Sequence, residues 1–346
     1  MAELARCPGL TEQLIVDLED GRDWVDQHHI LCSLASGLRL DPLDLTGQPY
    51  APCGPQHAAV RAAAWQLRRH VFHSSPGRPV DPCQAQVQLR SGVEEARDAQ
   101  AAGDEHVLAL QIPPLLELAD QLAAASGDHQ ETVTARHLAY VAAAGLLRRL
   151  GYRDLAWSLL QRTRLTDIGD QAAEAEEVRL LTSMGMPGAA GDRAEQHAAT
   201  VRSVGLLCAA AFAHAAAGQR QHAEQLLEEA AGRVTIEAEA AEVTVARAGS
   251  AMQFGDWDQV LELEAAAASM PSARRADLLL LVASIWARRG EIGPAIQRLA
   301  AAEESAALYV RLDPLARELL CALRARARDA AGVRVLARMA GSLGMK

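Results

Sequence analysis

The sequence predicts an all-α protein in which a small N-terminal helical unit precedes a long stack of paired helices. Three observations carry this. Half of the 346 residues are hydrophobic, mostly Ala and Leu, and only 3% are aromatic, a mixture suited to closely packed helices. Glycines recur at Gly151, Gly185, Gly218, Gly255 and Gly290, at intervals of 34, 33, 37 and 35 residues. Long β-branched runs of the kind that build strands are missing.

Taken in order, AELAR, a tight turn at Cys7, Pro8 and Gly9, and TEQLIVDLEDG read as helix, turn, helix. Thr11 is placed to cap the second helix, with Leu14, Ile15 and Leu18 on its buried side. The segment HHILCSLASGLRLDPLDLTG supplies two further short helices, the first starting at His28 and His29, which lie about 100° apart and so share no metal. TGQPYAPCGPQ and SSPGRPVDPC are rich in Pro and Gly and read as linkers around one helix, His57 to Phe72. These breaks divide the chain into residues 1–46, a linker region 47–83, and a repeat domain 84–346.

Within the repeat domain, SGVEEARDAQAAGDEHVLAL ends a helix at Gly103, and Pro113 with Pro114 predicts a fresh start near Leu115. LLRRLGYRDLAWSLL, FAHAAAGQRQHAEQLLEEAA, AMQFGDWDQVLELEAAA and IWARRGEIGPAIQRLAAAEE each read as helix, short turn, helix. The second helices share a small and large apolar rhythm, as in Ala156 and Leu159, Ala223 and Leu226, Val260 and Leu263, Ala295 and Leu299. Small residues there let paired helices approach, and stacked pairs bury a seam that no single pair could bury alone. The unit around Gly185 fits worst, and its turn is expected to be longer. Two apolar-periodic segments after Arg311 close the stack. The period is that of tetratricopeptide repeats, giving a helix-turn-helix unit followed by a tetratricopeptide-like α-solenoid.

The formal net charge is −10, which gives no whole-chain signal for nucleic acid or anionic membrane. The only lysine is Lys346, so the basic groups are arginines, and with so much Ala this points to a high-GC bacterial genome. Six cysteines without CxxC spacing, no signal-peptide pattern and no apolar window long enough to span a bilayer suggest a cytoplasmic protein with reduced thiols. P-loop, GxGxxG, GxSxG and HExxH motifs are absent, so no catalytic residue and no cofactor is assigned. Cys53, His57, His70, His73 and Cys83 come nearest to metal-ligand spacing but fit no common zinc module, and no metal is assigned.

After the first turn, Thr11, Ile15, Glu19 and Gly21 occupy the places of a pattern that resembles the helix-turn-helix of Xre-family, lambda repressor-like regulators. GRDWVDQHHILCSLASGLRLDPLDLTGQPYAP, GYRDLAWSLLQR and RLDPLARELLCALRARAR extend the likeness to actinobacterial regulators that join this domain to tetratricopeptide repeats. The resemblance covers nearly the whole chain. Such domains begin one helix before AELAR, so the match is N-terminally incomplete.

The resemblance implies a transcriptional regulator gated by a peptide or small-molecule effector in the repeats, and a homodimer on a two-half-site operator. It places Thr11, Glu12, Gln13, Val16 and Asp17 toward the groove, with Arg6 and Arg22 the nearby bases. Gln13 would pair with adenine, and Glu12 or Asp17 would accept from cytosine N4. Residues 1–50 nevertheless hold nine acids against three arginines, where DNA binding draws on basic groups that release phosphate counterions. The helix has the shape of a DNA reader without its electrostatics.

Two other classes therefore stand beside the regulator. One is a repeat protein without DNA binding that acts as a ligand or protein-interaction module. The other is a cofactor-independent enzyme using a carboxylate or histidine of the repeat cavity. His129, His137, His197, His214 and His222 lie on repeat helices, where solvent-facing or interhelical positions are the default. Tyr140, Tyr152, Trp157, Trp257, Trp286 and Tyr309 are the candidate ligand anchors, because a concave repeat face would use aromatics for that purpose.

Overall fold

The computed structural model describes residues 4–72, 81–126, 130–163, 171–196 and 202–345. Among them are nineteen α-helices, two 3-10 segments and no strand. A 3-10 turn at Leu4–Arg6 leads to α1 (Glu12–Glu19), α2 (His28–Leu38), α3 (Pro42–Thr46) and α4 (Pro55–Phe72). Thr11 caps α1 by accepting a hydrogen bond from the Leu14 amide at 3.1 Å, and Ile15 is buried.

Seven packed pairs follow. They are α5 (Pro82–Ala102) with α6 (Glu105–Ser126), α7 (Gln130–Leu150) with α8 (Arg153–Thr163), and α9 (Gln171–Ser183) with α10 (Pro187–Gln196). Next come α11 (Val204–Ala216) with α12 (Arg220–Ala231), α13 (Glu237–Phe254) with α14 (Trp257–Glu262), and α15 (Ser272–Arg288) with α16 (Ile292–Ser305). A short α17 (Ala307–Arg311) precedes the last pair, α18 (Pro314–Arg326) with α19 (Ala330–Ser342). The first helix of each pair also packs on the first helix of the next, so those helices form an inner layer.

All five periodic glycines sit in interhelical turns with positive φ, between +75° and +87°, a conformation that side chains other than Gly rarely adopt. The turn at Gly185 spans only 184–186, so it is as short as its neighbours and the expected longer turn is corrected. The break expected at Pro113 and Pro114 is also corrected, because α6 runs through both prolines. Leu108, Ile112, Leu116, Ala119 and Leu122 make one buried stripe across them. Burying each such leucine is worth roughly 1.5–3 kcal/mol, which offsets the backbone hydrogen bonds that the prolines forgo.

The row of pairs bends until it meets its own beginning. Helix α15 packs on α5, and α17 on α6, while Leu308 and Leu312 enter the same apolar core as α4 to α8. At this closure the Cβ of Ala306 comes within 2.7 Å of where a Gly103 Cβ would stand, so the contact requires glycine.

The N-terminal helices lie against the inner layer, held by the segment DWVDQH. Trp24 is 3% exposed and belongs to the core of α13 to α19. Its indole nitrogen donates to Ser284 Oγ at 2.9 Å, and the guanidinium groups of Arg288 and Arg326 stand 4.6 and 4.7 Å from its ring centre. Arg288 grips Asp26 through Nε and Nη2, both at 2.6 Å, and donates to Asp23 at 2.9 Å. Further along, Gln253 of α13 accepts the amides of His28 and His29 at 2.8 and 3.4 Å, which caps α2 from another helix.

Truncating Trp24 to Ala should lower unfolding stability by about 3–5 kcal/mol in urea denaturation, as expected for a buried aromatic residue. Arg288→Met should cost about as much, because Asp26 would remain buried without its cation. Losses under 1 kcal/mol for both would show that the clamp does not hold the N-terminal helices.

Candidate functional site

Between the N-terminal helices and the inner layer lies a cavity of about 840 Å³. Leu18, Leu31 and Leu34 line it from the N-terminal side, and Phe212, Val245, Leu280 and Leu281 from α11, α13 and α15. Phe212 gains its place from Gly249, since its ring lies 3.3 Å from where a Cβ would be.

The polar lining is mostly a chain of buried ion pairs. Arg148 meets Glu176 at 2.6 Å, and Arg179 meets Glu242 at 2.5 Å. Arg274 donates to Asp277 at 3.1 Å, and Tyr309 donates to the other oxygen of that carboxylate at 2.7 Å. Arg149 reaches Glu105 at 2.5 Å and stands 5.2 Å from the Tyr309 ring centre. Burial alone would raise the carboxyls of Glu176 and Glu242, but the facing arginines hold both below their ordinary range.

Arg153, at the start of α8, differs. It is 8% exposed, and its Nε and Nη1 have no hydrogen-bond partner. Asp41 is 3.9 Å away and already caps α3, accepting from the Leu43 amide at 2.7 Å. Burial pushes Arg153 down to about 10, so it remains a cation at neutral pH. On the α17 and α18 side, burial raises Asp313 to about 6 and Glu318 above its usual range. Two backbone amides of α18 reach Asp313 Oδ1, at 2.8 and 3.3 Å.

Of the six aromatic candidates, Tyr309 alone lines the cavity. Tyr140 is 1% exposed and donates to Asp120 at 3.0 Å, away from it. Tyr152 accepts from Arg61 at 3.2 Å, and Trp157 packs on the same core. Trp257 and Trp286 are half-buried against the core of α13 to α19. These five serve packing.

The groove-facing candidates are placed unevenly. Thr11, Glu12 and Gln13 are exposed, whereas Val16 and Asp17 are half-buried. Gln13 donates to Asp17 at 3.0 Å, and Arg22 is bound by Asp17 at 2.9 Å and Asp20 at 2.8 Å. The Arg6 side chain lies outside the described residues, as do His73, His129 and His197. Cys53 and His57 meet at 3.3 Å, but His70 pairs with Asp120 instead and Cys83 is exposed, so the residues spaced like metal ligands are not brought together.

The cavity arginines escaped sequence reasoning. Arg148, Arg149 and Arg153 flank the Gly151 turn, where bases at a helix end read as dipole compensation. No family model and no curated protein matches this chain. No helix among the described residues is long and apolar enough to cross a membrane.

His28 donates from Nε2 to the Thr182 carbonyl at 2.6 Å, and burial pushes its pKa down to about 4. The folded chain therefore resists protonating it. Its contribution is fully present above pH 6.5, its ordinary value, and is lost as pH falls through about 4. Relative to His28→Gln, the wild-type chain should lose about 2 kcal/mol between pH 7 and pH 4, read from denaturation midpoints. A pH-independent difference would show that the imidazole titrates alike in both states.

Proposed function

We propose that this chain is an effector-binding regulator whose cavity takes a small organic acid and whose N-terminal helices respond to its presence. The observation that carries this reading is Arg153, a buried cation with two unpartnered nitrogens on the wall of an otherwise ion-paired, apolar-sided cavity. A buried charge without a partner is costly, and a ligand carboxylate would supply both the counter-charge and the hydrogen bonds. The apolar part of such a ligand would lie against Leu31, Phe212 and Leu281. The volume falls in the range of small-molecule pockets.

The stack of pairs, the recurring glycines and the inner layer support a tetratricopeptide-like solenoid. The Thr11-capped α1 and the buried Ile15 support an Xre-like helix-turn-helix. Because Leu18, Leu31 and Leu34 line the cavity from the N-terminal side, a ligand would touch both parts at once and bias how they sit together. DNA is the output that the resemblance implies.

One observation favours a second reading, a ligand-binding module without DNA contact. Arg22, the base nearest the reading helix, is consumed by Asp17 and Asp20, so phosphate would meet carboxylates there.

Two measurements test these readings. In thermal shift assays, octanoate and phenylacetate should raise the melting temperature by a few degrees at saturation, while octanol and octylamine should not. Arg153→Met should abolish the effect and leave the ligand-free chain as stable or more so, because an unpaired buried charge is gone. Stabilisation by the amine alone would move the site to Asp313 and Glu318 and overturn the carboxylate reading. Fluorescence anisotropy with DNA flanking the gene should give salt-sensitive, sequence-selective binding for the regulator, and none even at low salt for the second reading.

A further inference from the structure

We propose a divalent-cation site, suited to zinc, formed by Glu195, His214 and His222 where α10 meets the turn between α11 and α12. None of the three lines the cavity, so this site stands apart from the organic-acid reading. Glu195 comes from the last turn of α10, His214 from the last turn of α11, and His222 from the first turn of α12. The carboxylate oxygen and the two imidazole nitrogens all lie within 4.8 Å of one another.

The hydrogen bonding prepares these nitrogens as ligands. Gln219, in the turn, places its side-chain carbonyl oxygen against His214 Nδ1. A carbonyl oxygen only accepts, so the proton sits on Nδ1 and Nε2 presents its bare lone pair. His214 is 4% exposed, and this Nε2 is buried with no hydrogen-bond partner. It faces Glu195 Oε1 at 3.8 Å, and His222 Nε2 faces the same oxygen at 3.7 Å. Both distances exceed a hydrogen bond. Lone pairs and a carboxylate thus converge with no donor among them, an arrangement that a cation relieves. A carbonyl that fixes the tautomer of a ligating histidine is the usual outer partner of such sites.

The distances fit a small rearrangement. Ligand atoms about 2.0–2.2 Å from a tetrahedral ion stand roughly 3.3 Å apart, so Glu195 needs to close by about 0.5 Å. Its carboxylate is half-exposed and can move. The two rings are stacked, 4.1 Å between centres with an 11° interplanar angle, and Gly191 makes room, since a Cβ there would fall 2.7 Å from His214 Cε1. Two histidines and one glutamate leave a fourth position for water or a further ligand. Bound there, the ion would tie α10 to the pair α11 and α12.

The test is titration of the EDTA-stripped full-length chain with Zn²⁺ by calorimetry, with Co²⁺ absorption as the report on coordination geometry. One equivalent of Zn²⁺ should bind and raise the melting temperature, and Co²⁺ should give tetrahedral ligand-field bands. Gln219→Ala should weaken binding by about 10- to 100-fold, and Glu195→Gln and His222→Ala by at least as much. The last two substitutions fall on half-exposed side chains, so the fold should be retained, with circular dichroism as the check. Cys83→Ser, at an exposed cysteine, should bind as tightly as wild type. No uptake by the stripped chain, or equal uptake by Glu195→Gln and His222→Ala, overturns the site.

Discussion

The clamp formed by Trp24 and Asp26 with Ser284 and Arg288 is the interaction on which the rest of the structure depends. Trp24 buries its ring in the core of the later helix pairs, while Asp26, whose side chain is 1% exposed, takes two hydrogen bonds from Arg288 and one from Ser284. An apolar anchor and a buried bidentate ion pair share one short segment. The anchor supplies burial, and the ion pair sets orientation, since a guanidinium fork matches a carboxylate in few geometries. Without the clamp, α1 and α2 would have no fixed position over the inner layer, and the cavity would have no wall on that side.

Closure of the helix row sets the character of that cavity. Contacts of α15 with α5 and of α17 with α6 bring charged inner-layer side chains from distant pairs together. Their carboxylates and guanidiniums neutralise one another through Glu176, Glu242 and Asp277, which makes burial tolerable. Arg153 stands out against this background, because a deep cation with two unsatisfied nitrogens is what a folded chain ordinarily avoids.

Much of the local structure was legible in the sequence, for reasons that are themselves local. Thr11 as a cap, Ile15 as a buried position and the positive φ of the five turn glycines depend on side-chain chemistry within a few residues. The helix through Pro113 and Pro114 was misread because a proline's local cost was weighed without the continuous stripe of buried leucines on either side. The aromatic candidates were mostly misplaced for a related reason. Size alone marked Tyr140, Trp157 and Trp257 as anchors, but which face of a helix looks inward depends on the pair packed against it. Tyr309 reaches the cavity because α17 lies where the row closes.

The sequence by itself determined that this chain is helical, that its helices come in pairs with glycine turns, and that its first fifty residues are acidic. Those properties follow from propensity, periodicity and charge, which act over a few residues at a time. Only the tertiary structure decided that Gln253 caps α2, that Asp26 faces Arg288, that Arg153 is left without a full partner, and that Glu195, His214 and His222 converge. Each of these joins residues from different helices, and their distances are fixed by the curvature accumulated over successive pairs rather than by any one segment.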